Sequence, residues 1–245
     1  MSQSVCLITG VGAGTGTALV RRFAQSNYQI AMLARNRDRL KKLEKELPST
    51  KAYVCDVGDL QALLATIEAV RSQMGNPSVL IHNAVGATFG NFLEADPEDL
   101  ERNFRVNTTS LLYLARELAP AMIAAERGAI IVTGNTAAWR GIPSYALFSP
   151  TKAAQRILAQ SLARDLGAKG VHVAYITIDA AIATPWSMDK LVRGLKTAPL
   201  TKNRDLSSDF FCQPVDIAEE VFHVVHQAKS AWSFEVEIRP FGEKW

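Results

Sequence analysis

Seven short runs along the chain are apolar nearly throughout and rich in β-branched residues: Val5–Thr9, Gln29–Leu33, Ala52–Cys55, Ser78–His82, Ala129–Val132, Val171–Ile178 and Ser233–Ile238. Runs of this kind predict strands covered on both faces, since a strand with one wet face alternates apolar and polar residues. Between them the period changes. Thr15–Ser26, Asp38–Leu47 and Asp59–Met74 predict helices; Leu60, Leu63, Leu64, Ile67 and Val70 lie at helical spacing in the third. Asp96-Pro97-Glu98 joins a capping side chain to a first-turn proline, and opens a predicted long helix toward Glu126 that Arg127-Gly128 closes. Further helices are predicted from about Ser149 to Leu166 and from Pro214 to His226.

Alternation of strands and helices implies a parallel sheet with right-handed crossovers. The expected architecture is α/β: a Rossmann-like, doubly wound, seven-stranded sheet between two helical layers. Ligands of such sheets bind outside the carboxyl ends of the strands, so chemistry is expected just after each strand. No repeat or Gly/Ser linker divides the 245 residues, which read as one domain. Only residues 183–212 break the rhythm. An insertion of that length is either a substrate lid or a surface excursion.

Composition narrows the functional classes. Hydrophobic residues make up 48% and charged residues 21%, values of an ordinary globular chain. Lys plus Arg is 27 against 24 for Asp plus Glu, a net +3 too small to argue for nucleic acid or an anionic membrane. Cys6, Cys55 and Cys212 form no CxxC and no Cys/His cluster, so neither a metal site nor a disulfide framework is expected and a reducing, cytoplasmic compartment fits. The N-terminus has no basic region before its short apolar run, and no stretch approaches 18 apolar residues, so neither a secretory leader nor a membrane span is expected.

The first strand is followed by Thr9-Gly10-Val11-Gly12-Ala13-Gly14-Thr15-Gly16, which opens the first helix. Glycines here permit a tight turn and close approach of backbone to phosphate, while the helix N-terminus offers free N–H donors. The bland alternative is a glycine-rich turn without a ligand. A site selective for NAD usually carries an acid at the end of the second strand, to hold the ribose 2′-hydroxyl. This chain has Arg35-Asn36-Arg37 there, and no acid between the glycine turn and Asp38. Arg35 and Arg37 suit a 2′-phosphate through charge-assisted hydrogen bonds, which favours NADP(H) over NAD(H). Otherwise they belong to a solvated basic face with Arg39, Lys41, Lys42 and Lys45.

These motifs, with those that follow, make the chain resemble the short-chain dehydrogenase/reductase family over nearly its whole length. TGxxxGxG stands at Thr9–Gly16, the adenine-side pair at Asp56-Val57, and the Asn-Ala-Gly motif at Asn83-Ala84-Val85, with Val in the glycine's place. Asn107 matches the family's helix asparagine, and Lys152 its lysine. Ile182 and Thr184 match positions that meet the nicotinamide amide and the pyrophosphate. The resemblance implies hydride transfer between a nicotinamide cofactor and a small-molecule carbonyl or alcohol. It also implies a homodimer or homotetramer assembled through two long helices.

Two positions depart from the family's catalytic set. The tyrosine four residues before the lysine is Phe148, and the serine 13 residues before that is Asn135. Phenylalanine has no exchangeable proton, and an amide donates a hydrogen bond but does not readily transfer a proton. Tyr145 stands seven residues before Lys152, and Tyr145, Phe148 and Lys152 are similar to the pattern of the enoyl-thioester reductase branch, although the glycine turn is of the ordinary type. Tyr145 is then either a donor to a substrate oxyanion, with Asn135, or an aromatic wall of the pocket. Phe148 and Trp186 are expected to line the substrate pocket. His82 either relays protons or packs. Asp179-Ala180 replaces the family's Pro-Gly after the sixth strand, and Arg239 is open to a part in assembly or substrate binding.

The expectation is an NADP(H)-dependent oxidoreductase acting on a carbonyl or activated C=C of a small apolar substrate, with an altered proton-delivery site. The alternative is an NADP(H)-binding protein of the same fold with impaired turnover, serving as sensor, scaffold or partner subunit.

Overall fold

The structure, a computed structural model, describes residues 3–184, 187 and 208–242. The apolar runs pair as strands β1 (Ser4–Thr9), β2 (Tyr28–Ala34), β3 (Thr50–Val54), β4 (Pro77–His82), β5 (Gly128–Asn135) and β6 (Val171–Ile178). Two short strands follow, β7 (Ala181–Ile182) and β8 (Phe211–Cys212), and then β9 (Glu235–Ile238). Seven of these form one sheet in the order β3-β2-β1-β4-β5-β6-β9, parallel at every pairing. The order reverses between β1 and β4, which is where a doubly wound sheet opens a crevice.

Each face of the sheet carries a helical layer. Against one face lie α1 (Thr15–Ala24), α2 (Arg37–Glu46) and α7 (Pro214–Val225), which bury Leu19, Phe23, Leu40, Ile217 and Val221 with Ile8, Ile30 and Ile131. Against the other lie α3 (Leu60–Met74), α5 (Ser110–Ala124) and α6 (Ser149–Gly167), which bury Leu63, Ile67, Leu114, Leu118 and Ala159 with Leu7, Leu80 and Val132. Successive strand residues alternate between the two layers, so a strand with no polar face satisfies both.

Two departures from the sequence pattern have tertiary causes. The long helix expected from Asp96 to Glu126 is interrupted: α4 (Pro97–Phe104) passes through a π turn, Arg105–Thr109, before α5 begins. The wider turn carries Asn107 fully inside the protein, and such turns recur at functional sites. Strand β5 continues three residues past Val132, pairing Thr133, Gly134 and Asn135 with Ile176, Thr177 and Ile178. The apolar run in the sequence ends at Val132. In the fold, a Cβ at Gly134 would overlap the ring of the buried Tyr175, so the glycine makes room for a core side chain.

The ends of the 183–212 segment are tied together. Strands β7 and β8 pair in parallel, and the Ala183 amide donates to the Cys212 carbonyl at 2.9 Å. The interior of the segment, with Trp186, lies outside the described residues. Among the described residues no helix is long and apolar enough to cross a membrane, and no cluster of three His, Cys, Asp or Glu is arranged to hold a metal.

Candidate active site

The glycine turn is packed by the chain around it. Gly10 has φ +68°, and a Cβ there would lie 2.6 Å from the backbone of Ala84. A Cβ at Gly16 would overlap the Gly10 carbonyl, whereas at Gly12 the nearest atom is 3.9 Å away. The turn is therefore closed inward and open outward at Gly12. Helix α1 begins at Thr15 with no side-chain cap and no acid in its first turn. The Thr15 hydroxyl is buried without a hydrogen-bond partner among the described residues, and the Thr184 methyl stands over Gly14. An open glycine face, an uncapped helix start and an orphaned hydroxyl together fit the pyrophosphate of a dinucleotide.

The end of β2 supplies the far end of that site. Arg35 is 80% exposed and reaches to 3.9 Å from Asp56, whose other oxygen accepts the Gly58 amide at 2.9 Å. At that exposure the ion pair holds the guanidinium only weakly, leaving it free for another anion. Arg37, also exposed, opens α2 beside it, and Val57 is buried. Asn83 acts as a strut: its amide donates to the Gly10 carbonyl at 2.8 Å and accepts from Thr133 at 3.0 Å. Ala84 is held by the Thr9 hydroxyl at 3.2 Å, while Val85 is exposed.

Deeper in, a buried polar network joins β1, β4, the π turn and α6. The Asn107 side chain closes a two-way bond with Gly86, accepting its amide at 2.9 Å and donating to its carbonyl at 2.8 Å. It also donates to the Thr151 hydroxyl at 2.8 Å. The main-chain oxygen of Asn107 accepts from Gln155 at 2.8 Å and faces His82 Nε2 at 3.3 Å. A carbonyl only accepts, so the His82 proton sits on Nε2, and Nδ1 accepts from the Thr9 hydroxyl at 3.0 Å. Burial, and then the charge of Lys152, push the His82 pKa down to about 4. His82 is thus a neutral, fully hydrogen-bonded core residue.

Lys152 is 2% exposed. Its Nζ donates to the Thr133 carbonyl at 3.2 Å and to Gln155 Oε1. Burial lowers its pKa to about 7. Gln155 escaped the reading of the sequence; its only signal there is an amide three residues after a lysine, on the same helix face.

Asn135 ends β5, where its Oδ1 caps the following turn by accepting the Ala137 amide at 3.1 Å. That leaves the Nδ2 hydrogens as its available donors. Tyr145 is half-buried in the turn before α6, its ring 4.8 Å from Phe89 and 5.8 Å from Phe148. Its side chain lines a cavity of about 760 Å³, with Phe92, Ala137, Trp139, Ile142 and Pro143. Phe148, expected on the pocket wall, is instead buried behind Tyr145, its ring 5.1 Å from Phe89. The cavity adjoins Asn135 through Ala137 and stops short of Lys152.

Arg239 is explained by the core. It lies 3.5 Å from Asp179, both side chains being largely buried, and Asp179 accepts from the Thr136 hydroxyl at 3.0 Å. The pair ties the ends of β6 and β9 to the loop after β5. His226 likewise faces Tyr28 at 3.1 Å and the Phe222 carbonyl at 2.7 Å.

Comparison with known proteins agrees with this geometry. The family model of short chain dehydrogenases matches residues 4–191. Versicolorin reductase of Emericella nidulans is 31% identical over 179 residues, 71% of this chain and 67% of that protein. A metagenomic short-chain oxidoreductase solved in complex with NADP superposes with a TM-score of 0.81 at 26% identity, covering 98% of both chains. The closed form of a serine dehydrogenase complexed with NADP+ gives 0.84 at 25% identity, over 98% of this chain and 96% of the other.

Proposed function

The chain belongs to the short-chain dehydrogenase family, whose members bind nicotinamide cofactors, and from that premise we propose that it is an NADP(H)-dependent oxidoreductase with an altered proton-delivery site. Its substrate is a small, apolar molecule bearing a carbonyl or an activated C=C. The observation that carries this reading is the cradle after β1, where the Thr15 hydroxyl is buried without a partner among the described residues and the turn is open at Gly12.

In this reading Gly10, Gly12, Ala13, Gly14, Thr15 and Gly16 hold the pyrophosphate, and Ile182 and Thr184 meet the nicotinamide amide and the pyrophosphate. Arg35 and Arg37 bind the 2′-phosphate, and Asp56 and Val57 the adenine. Asn83, Ala84 and Val85 shape the crevice between. The dihydronicotinamide supplies a hydride when bound. The 760 Å³ cavity walled by Trp139, Ile142 and Tyr145 receives the apolar body of the substrate. Asn135 Nδ2 and the Tyr145 hydroxyl donate to the substrate oxygen as negative charge gathers on it. Phe148 keeps water from the space behind Tyr145. Asn107 fixes the loop after β4, and Lys152 holds a proton at Nζ. Without the usual tyrosine the site lacks a contribution of about 10²–10⁴ in rate, yet keeps its donors to the oxyanion. In this reading the chain works in the cytoplasm as a homodimer or homotetramer assembled through α5 and α6, a pairing supported by the exposed Leu112 and Ile157 on those helices.

Titration with NADPH and NADH, followed by intrinsic fluorescence and thermal shift, tests the cofactor. NADPH oxidation against ketones, quinones and enones tests the chemistry. Preference for NADPH with turnover of at least one class is expected; failure to bind either nucleotide overturns the reading. A second reading, cofactor binding without turnover, is favoured by the withdrawal of the Lys152 amine into the Thr133–Gln155 pocket. Tight NADPH binding with no turnover across the panel selects it.

A further inference from the structure

Lys152 is a buried amine without a carboxylate. Among the described residues no acid pairs with it, and its two hydrogen-bond acceptors are both neutral: the Thr133 carbonyl and Gln155 Oε1. Gln155 is itself fully buried. The orientation of its amide is set by chemistry, because its Nε2 donates at 2.8 Å to the Asn107 carbonyl, an atom that only accepts. The oxygen is therefore left for the lysine. One side chain thus bolts the amine to the π turn and, through Asn107, to the loop after β4.

We propose that Gln155 is the positioning residue for Lys152, fixing the direction of its amine and supplying an uncharged acceptor where a carboxylate would keep the lysine protonated to higher pH. The proposal rests on the oxidoreductase reading for its purpose, though not for its test. With two N–H groups pointed at Thr133 and Gln155, the third tetrahedral position of Nζ carries either an N–H or a lone pair. Proton exchange is confined to that position. Gln155 is no proton wire, since its amide, held between the Lys152 amine and the Asn107 carbonyl, does not titrate.

Other groups around the amine leave this assignment intact. From β4, His82 is neutral and already committed to Thr9 and Asn107. From α5, the Ser110 hydroxyl donates to the Val106 carbonyl. From β6, Tyr175 is held protonated by burial. In α6 itself, Arg156 is paired with Glu235 of β9 at 2.6 Å. Tyr145 lies in the preceding turn, against Phe89 and Phe148.

The test follows the lysine directly, in protein without cofactor. Lysine carrying ¹³C at Cε is titrated by NMR, with Lys152→Met identifying the signal. The wild-type signal is expected to titrate close to neutrality. Gln155→Glu places a carboxylate against the amine and should raise the midpoint by more than one pH unit. Gln155→Met removes the acceptor while keeping the volume, and should lower the midpoint and broaden the signal. Where Gln155→Glu fails to fold, the methionine variant decides. An unchanged midpoint in the folded variants overturns the proposal. Because nothing in this titration needs NADPH or turnover, a shifted midpoint in a protein that turns over no substrate upholds Gln155 and counts against the oxidoreductase reading. Turnover with an unshifted midpoint does the reverse.

Discussion

The turn after β1 and the loops after β4 and β5 lie together at the carboxyl end of the sheet but are built differently. Around the turn, backbone does the work: Gly10 and Gly16 leave no room for a Cβ, and Gly12 leaves a face open. Around the loops, side chains do it: Asn107, Gln155 and Lys152 form a buried network in which every link is a named polar atom. The first region leaves no room for a side chain at Gly10 or Gly16 and keeps the glycine pattern of Thr9–Gly16. The second carries Phe148 and Asn135 where the family resemblance leads one to expect a tyrosine and a serine, and Phe148 there is buried. A backbone cradle depends on space, whereas a side-chain network can be rebuilt with other donors and acceptors that satisfy the same buried groups.

The largest effect should come from filling the cradle. Gly10→Ala forces a side chain into a left-handed conformation and against Ala84, so nucleotide binding should vanish and stability fall by about 3 kcal/mol. Denaturation with and without NADPH checks both. If the variant binds normally, the backbone account of the first region fails.

The junction of the two regions is His82, bonded to Thr9 on one side and facing Asn107 on the other. Its pKa is about 4 in the fold against an ordinary 6.5. Between those values the unfolded chain binds more protons, so stability falls as pH drops from 6.5 to 4, by up to about 3 kcal/mol. Lys152 acts in the same direction at higher pH, with stability rising between about 7 and 10.5. Urea unfolding across this range should show both slopes, and His82→Gln should flatten the acidic one.

Cofactor choice distinguishes the regions more finely. Arg35→Ala should weaken NADPH by about tenfold or more, as expected for one charge-assisted contact of about 2 kcal/mol, and barely affect NADH. Equal losses for the two nucleotides would remove the 2′-phosphate from the argument. The smallest expected effect lies in the second region. Tyr145→Phe keeps the aromatic wall and removes one donor, so turnover should fall about tenfold, about 1.4 kcal/mol, with NADPH affinity unchanged. An unchanged rate makes Tyr145 a wall only.

Much of this was legible beforehand because the signals were local. A strand buried on two faces must be apolar throughout, and a turn that receives a phosphate must be rich in glycine; both requirements are met within a few consecutive residues. The run read from the sequence stopped at Val132 because Gly134 answers to Tyr175, a residue distant in sequence. The π turn at Arg105–Thr109 was hidden because helical periodicity runs through it, while the partner of its Asn107 side chain, Gly86, lies across the fold.

By itself the sequence determined the alternation of strands and helices and the glycine-rich turn after the first strand, since each depends on residue type at short spacing. Tertiary structure alone decided that Phe148 is buried behind Tyr145, that Arg239 serves Asp179, and that Gln155 holds Lys152. Each of these is a pairing between buried groups brought together only when the sheet and helices close. Burial, which is what turns a polar neighbour into an obligatory partner, does not exist until they do.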